Sequence, residues 1–278
     1  MKRVTIQGEP GCFHEEAARR YFGDETIEIV PCTTFEALFD RMRREGSLLG
    51  IVAIENTIAG SLLQNHELLR CSDLRIVGEY KLRISHVLAA LPGERIERLT
   101  EVNSHPIALM QCAEFLKAHP HLKAVEKDDT AGSAAEIAAR RLSGHAAICS
   151  RLAALRYGLD VLEEGIETNK RNFTRFLLLA DRHHADRCAA AAQADKASLV
   201  FSLPHTQGSL SKVLTILSFY DINLTKIQSM PIIGCEWEYR FYVDVSFADY
   251  TRYRQSIGAI APLTKDLKIM GEYVAFNG

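Results

Sequence analysis

Along residues 1–180, short runs of β-branched and aliphatic residues alternate with stretches in which apolar positions recur every three or four residues. "RVTIQ", "IEIV" and "GIVAIE" have the length and composition of buried strands, and helical periodicity follows them near 14–22, 34–44 and 61–70. A second series runs through "YKLRISHVLAAL" as one long strand or two, and then a helix from Ser104. After that come a short strand near 122–126, a helix from Thr130, the strand "AAICS" and a helix at 151–157. The apolar strand 175–180 closes the series. Such alternation predicts largely parallel sheets with crossover helices. The segment near 80–91 is placed to carry the chain from one α/β lobe to a second, and the last strand to return to the first. A cleft would lie between them.

The pattern breaks at "DRHHADRCAAAAQADKA", residues 181–197, where charged residues, histidines and an alanine run replace the periodicity. Such a stretch reads as a linker. Beyond it, "SLVFSLP" opens a unit ordered strand, helix, strand ("NLTKIQSMPI"), strand ("YRFYVDVSF"), helix, strand. That is the split βαβ, ferredoxin-like order.

Bulk composition excludes more than it selects. A chain of 278 residues is long enough for more than one core, and 47% hydrophobic with 24% charged residues is ordinary for a globular protein. A net charge of −2 gives no positive field to hold nucleic acid. No signal peptide is expected at "MKRVTIQGEP", and no segment reads as a membrane span. Seven cysteines without a C-x-x-C pair argue against zinc or a disulfide framework and for a reducing cytoplasm. His119, His121, His183 and His184 read as surface residues.

The candidate chemistry sits where strands turn into helices, since helix N-termini offer unpaired N–H groups beyond the carboxyl ends of parallel strands. "GEPGCFHEEAA" allows a tight turn at Gly8 and Gly11 without matching a dinucleotide or phosphate loop. "IENTIAGSLLQN" places Glu55 and Asn56 at a strand end, and a buried Glu55 must be paired or used. Ser104 and Thr130 are expected to cap their helices, and Gln111 falls on a packing face where it needs a partner. "NKRNFTRFLLLA" sets Asn172, Thr174 and Arg175 at the mouth of the most apolar strand. Neighbours on an extended strand face opposite ways, so Arg175 either braces the site through a carboxylate or reaches it through a twist. These residue types suit a small anionic organic acid, and by themselves leave a solute-binding protein and an enzyme equal.

Four of these stretches, in this order, resemble the motifs of one family. "NFTRF" is similar to the N-x-TRF signature of prephenate dehydratases, "AIENTIAG" to their P-EN-S-x-x-G segment, "SHPIALMQC" to their SHP-x-x-x-x-Q helix, and "GEPGCFHEEAA" to their G-x-x-G-T-[FY]-S-x-x-A turn. Cys12 and His14 stand for the usual Thr and Ser, Ala53 for a common proline, and Thr168 for Asp or Asn. Residues 198–273 are similar to the regulatory ACT domain, with Gln228 and Met230 in place of the Glu and Arg of its I-E-S-R-P motif and "TQGSL" for P-G-A-L. No chorismate mutase module is expected ahead of the first strand.

The resemblance implies an α/β fold whose two-lobed catalytic domain resembles type II periplasmic binding proteins, followed by a ferredoxin-like βαββαβ ACT domain. The expected bounds are 1–181 for the catalytic domain, with lobe 1 at about 1–78 plus 166–181 and lobe 2 at about 79–165. A linker at 182–197 and the ACT domain at 198–278 complete the chain. It implies decarboxylating dehydration of prephenate to phenylpyruvate in phenylalanine biosynthesis, with no cofactor or metal. Thr174, Glu55, Asn56 and Gln111 would be catalytic, Thr174 polarising the departing hydroxyl and Glu55 the candidate proton source if desolvated. Arg175, Phe176, Ser104, His105, Thr130, Gly11 and Asn172 would bind substrate. L-phenylalanine would bind as effector at Gly208, Ser209, Leu210, Gln228, Ser229, Met230 and Pro231. Partners beyond prephenate and this effector would be copies of the same chain, a homodimer or homotetramer with paired ACT domains, and neither nucleic acid nor membrane. Arogenate dehydratase and a non-enzymatic sensor of organic or amino acids are the alternatives.

Overall fold

The computed structural model describes residues 1–188 and 194–276. The first sheet is built from β1 (Lys2–Gln7), β2 (Ile27–Cys32), β3 (Leu49–Asn56), the short β4 (Gly60–Ser61) and β5 (Arg75–Arg83), with helices α1 (Phe13–Phe22), α2 (Phe35–Arg44) and α3 (Leu63–Cys71) between them. The second holds β6 (Val87–Ala90), β7 (Glu101–Ser104), β8 (Lys123–Glu126), β9 (His145–Cys149) and β10 (Asp160–Glu164), with α4 (Pro106–Gln111), α5 (Ala113–Ala118), α6 (Thr130–Arg140) and α7 (Arg151–Arg156). The chain then returns to the first sheet as β11 (Phe173–Ala180), followed by α8 (Arg182–Cys188). The third sheet takes β12 (Lys196–Ser202), β13 (Asn223–Pro231), β14 (Tyr239–Ser246) and β15 (Lys265–Tyr273), with α9 (Ser209–Phe219) and α10 (Tyr250–Ile260).

Strand order in the first sheet is β2-β1-β3-β11-β5, where β1, β2 and β3 run parallel and the returning β11 runs antiparallel to both its neighbours. The second sheet, β10-β6-β9-β7-β8, is likewise mixed. The expected largely parallel character is thus corrected to a mixture in both sheets, because strands that carry the chain between sheets enter against the grain. The third sheet, β13-β14-β12-β15, is antiparallel throughout.

Several local expectations shift for physical reasons. The run near 80–91 divides at residues 84–86, where the Ile84 N–H leaves the ladder and donates to Asn172 O at 2.8 Å. The crossing between sheets therefore falls there rather than at 78. Ser104 ends a strand instead of capping a helix; His105 caps α4, its Nδ1 accepting from Ile107 N at 3.2 Å. Thr130 is the first residue of α6, and Asp129 is the cap, Oδ1 accepting from Gly132 N at 2.6 Å. The linker opens as α8, with Ala185 packed into the core of the first sheet, while the linker residues 189–193 lie outside the described residues.

The third unit is welded to the first. Val200, Tyr242, Met270 and Tyr273 share one apolar core with Leu38, Met42, Val52, Ile76 and Leu177. At Gly271 the backbone of β15 passes so close to β5 that a Cβ would sit 2.3 Å from Ile76 O. Only glycine allows this approach. Burial of histidine in these cores gives a pH signature. His66 is 3% exposed beside Tyr242, and burial pushes its pKa from 6.5 down to about 4. Between those values unfolding takes up a proton, so acid favours the unfolded chain in that window. Thermal unfolding at stepped pH should show Tm falling from pH 6.5 towards 4, less steeply in His66→Gln.

Candidate active site

A cavity of about 490 Å³ opens between the first and second sheets, within the usual range for small-molecule sites. Asn56, Thr174 and Phe176 reach it from β3 and β11, His105 and Gln111 from α4 and its cap, and Thr130 from α6. Phe13 and His14 from α1 and His86 from the β5–β6 junction complete the wall.

A bulge decides which residues face inward. Thr174 pairs with Asn56 and Arg175 with Glu55, yet Phe176 pairs with Ala53, so Ile54 is the extra residue on β3. Ile54 packs into the core shared with the third sheet while Ala53 and Asn56 line the cavity. Glu55 lines a different chamber, of about 670 Å³, between β11 and the third unit. Re-aiming a side chain is what a bulge does.

The amide network can be assigned atom by atom. Asn56 Oδ1 receives the backbone N–H groups of Ile58 at 2.9 Å and Ala59 at 2.8 Å, which can only donate. Its Nδ2 therefore faces Asn172 Oδ1 at 2.8 Å and Thr174 Oγ1 at 2.9 Å. Asn172, fully buried, donates from Nδ2 to Gln111 Oε1 at 2.9 Å. Gln111 Oε1 then accepts from His86 Nε2 at 2.9 Å, so that nitrogen holds the ring proton. Burial lowers the pKa of His86, which is neutral, and leaves Nδ1 with a buried lone pair. At the other end, Thr174 Oγ1 is an acceptor towards Asn56, so its own proton is free for a group in the cavity.

His14 Nε2 accepts from Ala53 N at 3.3 Å, and burial holds its pKa at about 4. Its other nitrogen then carries the proton. A proline at 53 would have no such N–H, so the two departures from the motif partner each other. Asp129 is half-buried at the cavity wall, with its pKa raised chiefly by burial, while backbone N–H groups of Gly132, Ala131 and Glu9 act the other way.

Other expected site residues lie elsewhere. Ser104 is buried and donates to Ile148 O at 2.6 Å, a sheet role. Gly11, at φ +96°, packs on α7, where a Cβ would lie 2.8 Å from Ala153 Cα. It packs the β1–α1 turn against α7 instead of lining the cavity. Gly11→Ala is expected to cost about 1–3 kcal/mol, read as a lowered Tm. Arg175 faces away from the cavity and is 6% exposed, its Nε bonded to Glu79 at 2.6 Å, Nη1 to Glu55 at 3.1 Å and to Asp244, and Nη2 to Tyr273 at 2.9 Å. It braces the strand. Glu55 is not the desolvated acid expected. Burial alone would raise its pKa, but Lys226 at 2.7 Å and Arg175 bring it below the usual range.

In the third unit, Gly208 precedes α9 at φ +78°, and Ser209 and Leu210 line a small cavity of about 130 Å³ with Trp237 and Tyr239. Gln228, Ser229, Met230 and Pro231 are not part of that cavity. Gln228 Nε2 donates to Ser229 O at 2.8 Å, Met230 packs on the core shared with the first sheet, and Pro231 ends β13. His86 and Asp129 were not singled out by sequence reasoning. The strand interruption at "RISH" and the Asp before "TAGS" were their only signals. Among the described residues, no group of three or more His, Cys, Asp or Glu is arranged to hold a metal, and no helix is long and apolar enough to cross a membrane.

The prephenate dehydratase family model matches residues 4–184. Arogenate dehydratase 1 of Petunia hybrida is 38% identical over 98% of this chain and 66% of its own length, so the chain spans about two thirds of that relative. Prephenate dehydratase from Arthrobacter aurescens, solved in complex with L-Phe, superposes with a TM-score of 0.84 at 27% identity, covering 98% of this chain and 90% of that one. GqqA, described as a novel type of quorum quenching acylase, gives a TM-score of 0.86 at 26% identity, covering 99% of this chain and 98% of that one.

Proposed function

The chain belongs to the prephenate dehydratase family, and we propose that it removes the ring hydroxyl and ring carboxylate of a cyclohexadienyl acid, prephenate or arogenate, as water and CO₂. The observation that carries this reading is the Thr174 hydroxyl, which lines the cavity and accepts from Asn56, so that its own proton is available to a bound group. In the reaction the bond from the ring to its carboxylate breaks, and that electron pair enters the ring. The opposite carbon–oxygen bond then breaks and releases hydroxide. Aromatisation drives the step, so the protein need only hold the substrate and polarise the departing oxygen.

Thr174 hydrogen-bonds that oxygen as charge develops on it. Glu55 is spoken for by its cations, which leaves water as the proton source in this reading. Neutral donors on Gln111 and His14 orient the carboxylates. An ion pair to the carboxylate that leaves would stabilise the ground state and slow its loss.

The charge of the wall favours arogenate between the two substrates. Among its described lining residues there is no Lys or Arg, while Asp128 and Asp129 are present. Arogenate carries an ammonium where prephenate has a keto oxygen, and an acidic wall attracts the first and repels a dianion. We expect Asp129→Asn, which keeps a good helix cap, to lower kcat/KM for arogenate about tenfold more than for prephenate, on the scale of one charged hydrogen bond. Equal effects on both substrates would remove Asp129 from the choice.

The two larger sheets are read as the lobes of a binding-protein-like catalytic domain and the third unit as an ACT domain that takes phenylalanine and pairs with a second copy. The L-Phe-bound relative and the ferredoxin-like strand order support this. Titration of activity with L-phenylalanine, alongside sedimentation, tests it. A cytoplasmic location is proposed on the free thiols of Cys12, Cys112 and Cys149, all buried.

A further inference from the structure

Two dipeptides on neighbouring strands, Glu55–Asn56 and Thr174–Arg175, each send one side chain into the cavity and the other towards the third unit. We propose that Lys226 and Asp244, in that third unit, are positioning residues for the chemistry at Asn56 and Thr174. This inference rests on the dehydratase reading.

Lys226 Nζ holds Glu55 Oε2 at 2.7 Å, and Asp244 accepts from Arg175 Nη1. Ser198, bonded to Asp244 and to Tyr273 at 2.8 Å, fixes the carboxylate, while Lys196 bonds both oxygens of Glu79 at 2.9 Å. From the first sheet come Glu55, Glu79 and Arg175, a charge of −1. From the third come Asp244, Lys196 and Lys226, a charge of +1, so the junction is neutral only when both sides are present. Removing one member of such a buried set leaves a charge that neither water nor protein satisfies.

The geometry makes this more than an adhesive. Glu55 adjoins the bulge that turns Asn56 into the cavity, and Arg175 is the immediate neighbour of Thr174. A bulge is a point where strand twist is easily changed. Lys226 holds Glu55 from β13, on the side of that strand that also carries Gln228 and Met230. Movement of β13 therefore reaches the Asn56–Thr174 pair through the Lys226–Glu55 ion pair, beside the apolar contact of Met230 with the core that holds Ile54. Misplacement by a fraction of an ångström is enough to slow a reaction that depends on alignment.

The test uses the full chain with Lys226→Met, Lys226→Arg, Glu55→Gln and the Glu55→Gln/Lys226→Met double variant, which removes both charges and so guards against misfolding. kcat and KM are measured on whichever of prephenate and arogenate the native chain turns over, with Tm for each protein. Lys226→Met is expected to lower kcat about tenfold with KM within about twofold. Lys226→Arg should restore most of it, and Lys226→Met should have no further effect in the Glu55→Gln background. A lowered Tm with unchanged kcat, or effects on kcat that multiply in the double variant, would overturn the positioning role. A folded native chain that turns over neither substrate would overturn the dehydratase reading and this inference with it. An active native chain with unaffected variants would overturn this inference alone.

Discussion

Thr174→Val lowers kcat by about 10²–10³-fold while KM moves little, the loss measured when one preorganised donor to a developing oxyanion is removed. Valine keeps the shape of threonine and deletes only the hydroxyl. Asn56 Nδ2 loses one acceptor but keeps Asn172 Oδ1 and the Phe173 carbonyl at 3.2 Å, so the rest of the network stays in place. The variant therefore isolates the donor. Thr174→Ser should retain most activity, because its hydroxyl can take the same bond from Asn56. Steady-state kinetics on the three proteins check this. A valine variant as active as the native chain would mean that the free proton of Thr174 is not used.

Arg175→Met has the largest expected effect on stability, about 3–5 kcal/mol, since it strands Glu79 and Asp244 in a buried site with too few cations. The guanidinium bonds four side chains through three nitrogens, and no other residue can reproduce that fork. Arg175→Lys is expected to fall between, holding one or two of the four. Urea unfolding of the full chain gives the comparison. A methionine variant within about 0.5 kcal/mol of native would show the cluster to be solvated and the junction loose. The raised pKa of Arg175, which its acidic partners bring about against the opposing effect of burial, keeps this cation charged at every accessible pH.

Much of the fold was legible because it is written in periodicity. The strands at Lys2–Gln7, Ile27–Cys32 and Leu49–Asn56, and the helices that follow them, lie within a few residues of where apolar spacing put them. The strand–helix order of the third unit was equally plain. Strands β7 and β10 were missed because four or five residues with charged ends carry no recognisable alternation. Helix starts were displaced by one or two residues where a histidine or an aspartate, and not the nearby serine or threonine, supplied the cap.

The site was legible as a set of motifs, but not in its sidedness. Nothing in "AIENT" announces that an extra residue will turn Glu55 out of the cavity and Asn56 in. Both members of that pair therefore read as catalytic. Arg175 was expected among the substrate-binding residues, and strict alternation on β11, which sends it away from Thr174, leaves it the bracing role instead. Its partners Asp244 and Lys196 lie in another unit, at a distance in sequence that no local pattern spans. His86 escaped for a similar reason: its importance comes from Asn172 and Gln111, which meet it only in the folded chain.

The most direct test is turnover by the purified native chain, following phenylpyruvate from prephenate and phenylalanine from arogenate, with Thr174→Val in parallel. The native chain is expected to form product with the higher kcat/KM on arogenate, and Thr174→Val to lose nearly all of that activity. A folded native chain that forms neither product, or a variant that forms it at the native rate, would contradict the account at its centre.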